Sequence, residues 1–477
     1  MERADHNTHY IDGKWVSAKS PTRLDVRDAT TEEVMGSIPA GTAEEVDLAV
    51  QAARRAFPTW STTAPDYRGA LLKAVSKGIL ARTEELAVIQ SREVGTPLAL
   101  SRGMHVALPA TTVGAQNDFV REAFAEETVG NATVVKEAVG VVGLISPWNF
   151  PLQQVVAKVA PALAAGCTIV LKPSEVAPLS IYALIEIFEA AGLPRGVLNV
   201  VFGDGETVGE AIVVHPDVDM VSFTGSTVVG KRIMSLAADQ VKRVTLELGG
   251  KSPLVVLPDG DLSILAARAA GTISLNSGQA CSALTRIVAP QSRLKEVEEA
   301  VNAAVSKLVV GDPMDAATSL GPVVSGKQRD RVRRYIEVGV DEGARLITGG
   351  PGAPDKLDRG YFIRPTVFSD VTTTMTIARE EIFGPVLVIQ PYDDSLGDDE
   401  AIRVANDTAY GLAGGVIGAD PKRTNHVARS IRAGQVEING AAFNPIAPFG
   451  GYKQSGNGRE LGRQSIEEYL EVKALLN

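Results

Sequence analysis

Gly140-Val141-Val142-Gly143-Leu144-Ile145-Ser146, Cys167-Thr168-Ile169-Val170-Leu171, Val197-Leu198-Asn199-Val200-Val201 and Met220-Val221-Ser222-Phe223 are four short apolar runs with helical patterns between them. Strand-like runs at roughly 20–30-residue spacing, alternating with helices, imply βαβ units and a parallel sheet. Such sheets bind ligands beyond the carboxyl ends of their strands. Residues just after each run are therefore the first candidates for function.

Outward from this core, residues 1–40 read as short strands and turns, with a hairpin around Asp12-Gly13. Thr42 followed by Glu45 makes a capping box, and Val46, Ala49, Val50 and Ala53 recur at helical spacing. Further helices are predicted over about 66–80 and 83–93. Past Phe223 the alternation resumes: Arg243–Leu248 and Leu254–Leu257 are strand-like, helices are predicted at 261–276 and 293–307, and strands continue to about Asn439. A boundary is placed near Leu248, between a cofactor half and a second α/β half. No period of 20–50 residues recurs, which excludes a solenoid.

A chain of 477 residues is too long for one ordinary core. Its 47 basic and 57 acidic residues give a net charge of −10, and no basic run offsets it, so no nucleic-acid partner is expected. The most apolar stretch, Val155 to Leu171, is interrupted by Lys158, Pro161 and Gly166 and does not suit a membrane span. The first ten residues contain no apolar signal region. Two cysteines in so long a chain fit a reducing compartment, and the expectation is cytoplasmic. No metal site is expected.

Several residues could carry chemistry. Cys167 sits in an apolar strand and reads as a small core residue. Cys281 is flanked by Gly278, Gln279, Ala280 and Ser282, so nucleophile and core filler stand level for it. Glu247 interrupts an apolar strand before Gly249-Gly250, which suits a mobile general base; the alternative is a half-buried carboxylate paired with Lys251 or Arg243. Phe223-Thr224-Gly225-Ser226 ends a strand and caps a helix, a place that offers free N–H groups to a phosphate. Nearby, Gly203 to Gly209 misses the dinucleotide fingerprint by one residue. Lys172 and Glu175 could hold two ribose hydroxyls, or form a surface ion pair. Pro147 and Pro151 bracket Asn149, whose amide could stabilise an oxyanion, or the segment is simply a proline-rich turn.

Seven motifs in register, Pro147-Trp148-Asn149-Phe150, Lys172-Pro173-Ser174-Glu175, Phe223-Thr224-Gly225-Ser226-Thr227, Leu246 to Lys251, Gly278-Gln279-Ala280-Cys281, Glu381 to Pro385 and Pro448-Phe449-Gly450-Gly451, resemble the aldehyde dehydrogenase superfamily from about Tyr10 to Glu471. The resemblance implies an α/β fold with a Rossmann-like NAD domain (1–118 and 139–248), an α/β catalytic domain (249–445) and a β-hairpin oligomerisation element (119–138 and 458–477). It implies NAD-dependent oxidation of an aldehyde to an acid. Cys281 would attack as a thiolate, Asn149 and the Cys281 N–H would hold the oxyanion, and Glu247 would activate water against the thioester. The cofactor would meet Ser146, Pro147 and Trp148, then Lys172, Ser174 and Glu175, then Gly205 and Gly209. Phe223, Thr224, Gly225, Ser226, Leu248, Gly249, Glu381 and Phe383 would complete that site.

Glu247 separates hydrolytic relatives from those that pass the acyl group to coenzyme A, which generally lack it. Glu175 favours NAD, though NADP use is known for relatives with a similar glutamate. Phe150, Ala157, Phe443 and Phe449 would line an apolar tunnel for an aliphatic or aromatic aldehyde. Val156-Ala157-Lys158 replaces the Trp of several relatives, which suggests a wider pocket. A homodimer or homotetramer is expected, with strands in Thr128–Val135 and Tyr469–Val472 seeking a partner edge. The competing readings are an NAD-independent thiol esterase using Cys281, and a non-catalytic NAD-binding or scaffold relative.

Overall fold

A computed structural model describes residues 3–477; Met1 and Glu2, at the head of the expected strand-and-turn region, lie outside the described residues. Two large sheets carry the molecule. The first has eight strands in the order Gly456–Asn457, Arg243–Glu247, Met220–Thr224, Val141–Ile145, Thr168–Lys172, Leu198–Val200, Thr8–Ile11 and Lys14–Ser17. Its five central strands are parallel. In chain order they read fifth, fourth, first, second, third, so the direction of winding reverses between Val141–Ile145 and Met220–Thr224. That reversal leaves a crevice at the carboxyl ends of these two strands.

The four apolar runs form strands because both faces are covered. Val142 and Leu144 enter one core cluster, while Val141 and Ile145 enter the other. Between strands, Pro151–Ala165 is helical and buried along its whole length. Pro151 supplies the first-turn φ, and Gly166 at φ +90° ends the helix in a conformation that disfavours other residues. A mostly apolar helix covered on every face is stable only inside a core. Each Val or Leu buried there contributes roughly 1.5–3 kcal/mol.

The second sheet has seven strands, ordered Arg345–Thr348, Thr366–Ser369, Val386–Tyr392, Arg286–Pro290, Pro253–Val256, Ala413–Ile417 and Gln435–Ile438. All but the first edge strand are parallel. The sheets are joined by the short link Leu248 to Ser252. Thr42 caps Ala43–Ser61 through the expected box: its Oγ1 accepts from the Glu45 N–H, and its own N–H donates to the Glu45 carboxylate at 2.9 Å.

A third sheet pairs Leu470–Leu476 with Ala132–Ala138 and that strand with Glu127–Val129, all antiparallel. Residues up to Ala123 belong to the helix Leu108–Ala123, which buries Val120 and Ala123, and strand structure begins at Glu127. Residues 462–467 are likewise helical. Among the described residues no helix is long and apolar enough to cross a membrane.

Candidate active site

The helix expected to reach 276 stops at Ser274. Asn276, Ser277 and Gly278 then run left-handed, at φ +49°, +55° and +73°. Two non-glycine residues in that region cost roughly 1–3 kcal/mol each, so surrounding structure must hold them. It does so with buried hydrogen bonds. Ser277 Oγ donates to Gly321 O at 2.9 Å, and Gln279 Nε2 donates to Asn276 O at 2.9 Å. Gln279 Oε1 accepts from the Val324 N–H at 2.9 Å. Gly278 is required twice, since a Cβ there would also overlap Gly384 O. This turn delivers Cys281 to the wall of a cavity of about 600 Å³.

Asn149 is fastened to the same turn. Its Nδ2 donates to Gln279 O at 3.1 Å, and its carbonyl accepts from Asn276 Nδ2 at 2.7 Å. A side-chain amide has two N–H groups, so one remains for a further acceptor. The link between the sheets runs against the Cys281 backbone: a Cβ on Gly250 would lie 2.6 Å from the Cys281 carbonyl oxygen. Burial pushes the Cys281 thiol far above its ordinary range, and the charges of Glu381, Glu247 and Glu460 push the same way. A thiol raised in this way needs a base before it can attack as a thiolate.

Glu247 ends its strand buried, with neither carboxylate oxygen hydrogen-bonded. Burial raises its pKa, and the neighbouring Glu460 raises it further. The alternative pairings are not made. Arg243 donates to Leu470 O at 2.7 Å and pairs with Glu471, and Lys251 Nζ has no partner. Glu247 does not line the cavity; Gly450 lies against it, where a Cβ would come within 2.7 Å of Oε1. Lys158, buried, pairs instead with Glu460 at 2.6 Å and donates to Ser222 Oγ at 3.2 Å.

The expected cofactor residues gather at the crevice of the first sheet. Ser146 and Thr224, at the ends of the two strands where winding reverses, bury hydroxyls that have no partner. Ser226 caps Thr227–Ala238, its Oγ accepting from the Val229 N–H at 3.4 Å. Gly225 lies against the Phe223 ring, and Leu248 donates its N–H to Ser455 O at 2.9 Å. Glu381 Oε1 accepts from the Gly250 N–H at 3.0 Å, with its other oxygen where a Gly249 Cβ would stand. Burial pushes Glu381 up to about 7. Trp148, beside Pro147, meets the Phe383 ring edge-on at 5.4 Å. Orphaned hydroxyls and an open helix start fit a polar, phosphate-bearing cofactor.

Three other assignments look different in place. Lys172 and Glu175 pair with each other at 2.7 Å, with Lys172 buried rather than on the surface. Ser174 Oγ accepts from the Val176 N–H. Gly205 and Gly209 bound one wide, π-type helical turn capped by Asp204, with open space around Gly205.

Phe150, Ala157, Phe443 and Phe449 all line the cavity with Cys281, and Phe443 and Phe449 meet edge-on at 6.2 Å. Glu460 lines it too, and the paired Arg268 and Glu437 add polarity. Sequence reasoning missed Asn276, Lys158 and Glu460 as site residues. Asn276 was visible beside the cysteine; nothing local marked Glu460.

Solved structures of this shape are dehydrogenases acting on aldehydes. Aldehyde dehydrogenase C from Pseudomonas syringae, crystallised as a cysteine-to-alanine mutant with NAD+ and octanal, is 46% identical, covers 100% of this chain and 98% of its own, and superposes with a TM-score of 0.97. Betaine aldehyde dehydrogenase from Staphylococcus aureus, in complex with NAD+, is 37% identical with a TM-score of 0.95, covering 99% and 97%. A Pseudomonas 3-succinoylsemialdehyde-pyridine dehydrogenase is 49% identical over 99% of this chain and 98% of its own. The chain belongs to the aldehyde dehydrogenase family, whose model matches residues 15–475. It is an aldehyde dehydrogenase.

Proposed function

We propose that the chain oxidises an aldehyde to the free carboxylic acid with NAD, through a thioester on Cys281. The observation that carries this is the single left-handed turn that puts Cys281 on the cavity wall and fastens Asn149 beside it. Cys281 Sγ bonds to the carbonyl carbon as its proton leaves to a base. The oxyanion takes the spare Asn149 N–H and the Cys281 backbone N–H. NAD, when bound, supplies the hydride acceptor. Glu247, whose carboxylate oxygens have no hydrogen-bond partner and whose raised pKa makes its ionised form a stronger base, removes a proton from water, which adds to the thioester; the C–S bond breaks and the thiol is restored.

Ser146, Thr224 and Ser226 would hold the phosphates, Lys172 and Glu175 the adenosine ribose, and Glu381 the nicotinamide ribose. Glu175 supports NAD over NADP, because a carboxylate there repels a 2′-phosphate. The first sheet with residues 1–118 and 139–248 is the cofactor half, and 249–445 the catalytic half. The largely apolar cavity wall suits an aliphatic or aromatic aldehyde. The octanal-bound relative supports that choice. The third sheet exposes Val472 and Leu476, which suits pairing in a homodimer or homotetramer. Free Cys167 and Cys281 suit a cytoplasmic protein.

Aldehyde and NAD should generate NADH absorbance, and Asn149→Ala should lower kcat by about 10²–10³-fold, as loss of an oxyanion donor does. Ester hydrolysis without any NAD-dependent turnover would favour the thiol esterase instead. Absence of both activities would leave a cofactor-binding scaffold.

A further inference from the structure

We propose that Thr96 and His105 are positioning residues that set the Asn149 amide through Asn276. The proposal rests on the oxyanion role given to Asn149 above. All three are buried, and none belongs to a motif that identifies the family here.

Asn276 Nδ2 donates to Asn149 O at 2.7 Å and to Gln279 O at 3.2 Å, which commits both of its hydrogens. Its Oδ1 therefore faces Thr96, and a carbonyl oxygen can only accept, so the Thr96 hydroxyl donates to it. With that hydrogen committed, Thr96 Oγ1 can only accept from His105 Nε2, 3.1 Å away. His105 must carry its proton on Nε2. Burial pushes its pKa down to about 3, so the ring is neutral and has one N–H to give.

The far end is fixed independently. Gln90 Nε2 donates to Leu86 O at 3.3 Å and to His105 O at 3.1 Å, so its amide cannot turn over. Gln90 Oε1 then stands 3.3 Å from a bare His105 Nδ1. The row is directional, His105 to Thr96 to Asn276 to the two carbonyls, with one mismatch at its outer end. His105 also stacks on Phe150 at 5.0 Å, so it touches the segment after Asn149 from a second side. Removing the Thr96 hydroxyl frees Asn276 to rotate, and a rotated amide would turn its oxygen on the carbonyls that hold Asn149.

Steady-state kinetics on the full-length enzyme with NAD and a medium-chain aldehyde test this. Thr96→Val should lower kcat by about tenfold, short of the full loss of an oxyanion donor. NAD affinity by calorimetry should stay unchanged, and Thr96→Ser should restore kcat to within about twofold. In an Asn149→Ala background Thr96→Val should add nothing further, since both act on one donor. Should Thr96→Val not fold, His105→Gln, which keeps a donor, against His105→Leu, which does not, gives the same contrast. Thr96→Val within twofold of the parent, Thr96→Ser as slow as Thr96→Val, equal rates for the two His105 variants, or losses that multiply in the double variant would each overturn the proposal. A wild-type rate in Asn149→Ala alone would instead remove the oxyanion reading on which it stands.

Discussion

The two cysteines occupy contrasting regions, yet their thiols are alike in one respect. Cys167 follows the left-handed Gly166, enters the strand Thr168–Lys172 and donates to Tyr469 O at 3.5 Å within the main core. Burial pushes it up to about 12. Cys281 is raised still further, by burial and then by Glu381, Glu247 and Glu460. Acidity therefore does not separate the two thiols. What separates them is presentation. One thiol is sealed in the main core just before its strand, and the other is turned to a cavity wall by three left-handed residues. Access to the cavity is what suits one thiol, and not the other, to react.

The largest effect should come from the cysteines themselves. Cys281→Ala should lower NADH formation by about 10⁴-fold or more, while Cys167→Ala keeps kcat within twofold. A persisting rate in the first variant would end the contrast. Next in size is Glu247→Gln, expected to lower steady-state turnover by about 10²–10³-fold. Stopped-flow absorbance should still show rapid NADH formation in the first turnover, because the variant blocks hydrolysis after oxidation. If the first turnover slows as much as the steady state, Glu247 acts on the thiol before it acts on water.

A smaller effect concerns pH. A thiol raised well above neutrality holds little thiolate, and that fraction grows about tenfold per pH unit below its pKa. Iodoacetamide modification of Cys281 without cofactor should follow that slope from pH 7 to 9, with no plateau. Glu381, pushed up to about 7, gains its charge as pH rises through that value and then opposes the thiolate. Glu381→Gln should accordingly speed alkylation above pH 7 and change it less below. A plateau near pH 7 in the parent would show a thiol already activated at rest.

The parts legible in the sequence were those whose cause is local. Apolar runs, the Thr42–Glu45 box and the helix-ending Gly166 announce themselves within a few residues, and so did the strands that frame the crevice. The early end of the helix before Cys281 was not legible. Asn276 and Ser277 carry no marker for positive φ, and what holds them comes from Thr96, Gly321 and Val324, distant in sequence. Glu247 was found because a carboxylate breaks an apolar strand. That it lacks a hydrogen-bond partner, and that Lys158 goes to Glu460 instead, depends on a return of the chain 302 residues after Lys158.

The smallest expected effect returns to Cys167. Cys167→Ala removes one sulfur from a packed core, a loss comparable to a methylene or two, and should lower unfolding stability by about 1 kcal/mol. Cys167→Ser keeps the size but places a hydroxyl where the sulfur sat 3.5 Å from Tyr469 O, too far for a good O–H···O bond. An unsatisfied buried hydroxyl costs roughly 1–3 kcal/mol. Serine should therefore be the more destabilising of the two by chemical denaturation, although it is the closer match in shape. If serine proves the milder change, the backbone around Tyr469 relaxes to meet it, and the sealed thiol is less rigidly enclosed than its burial implies.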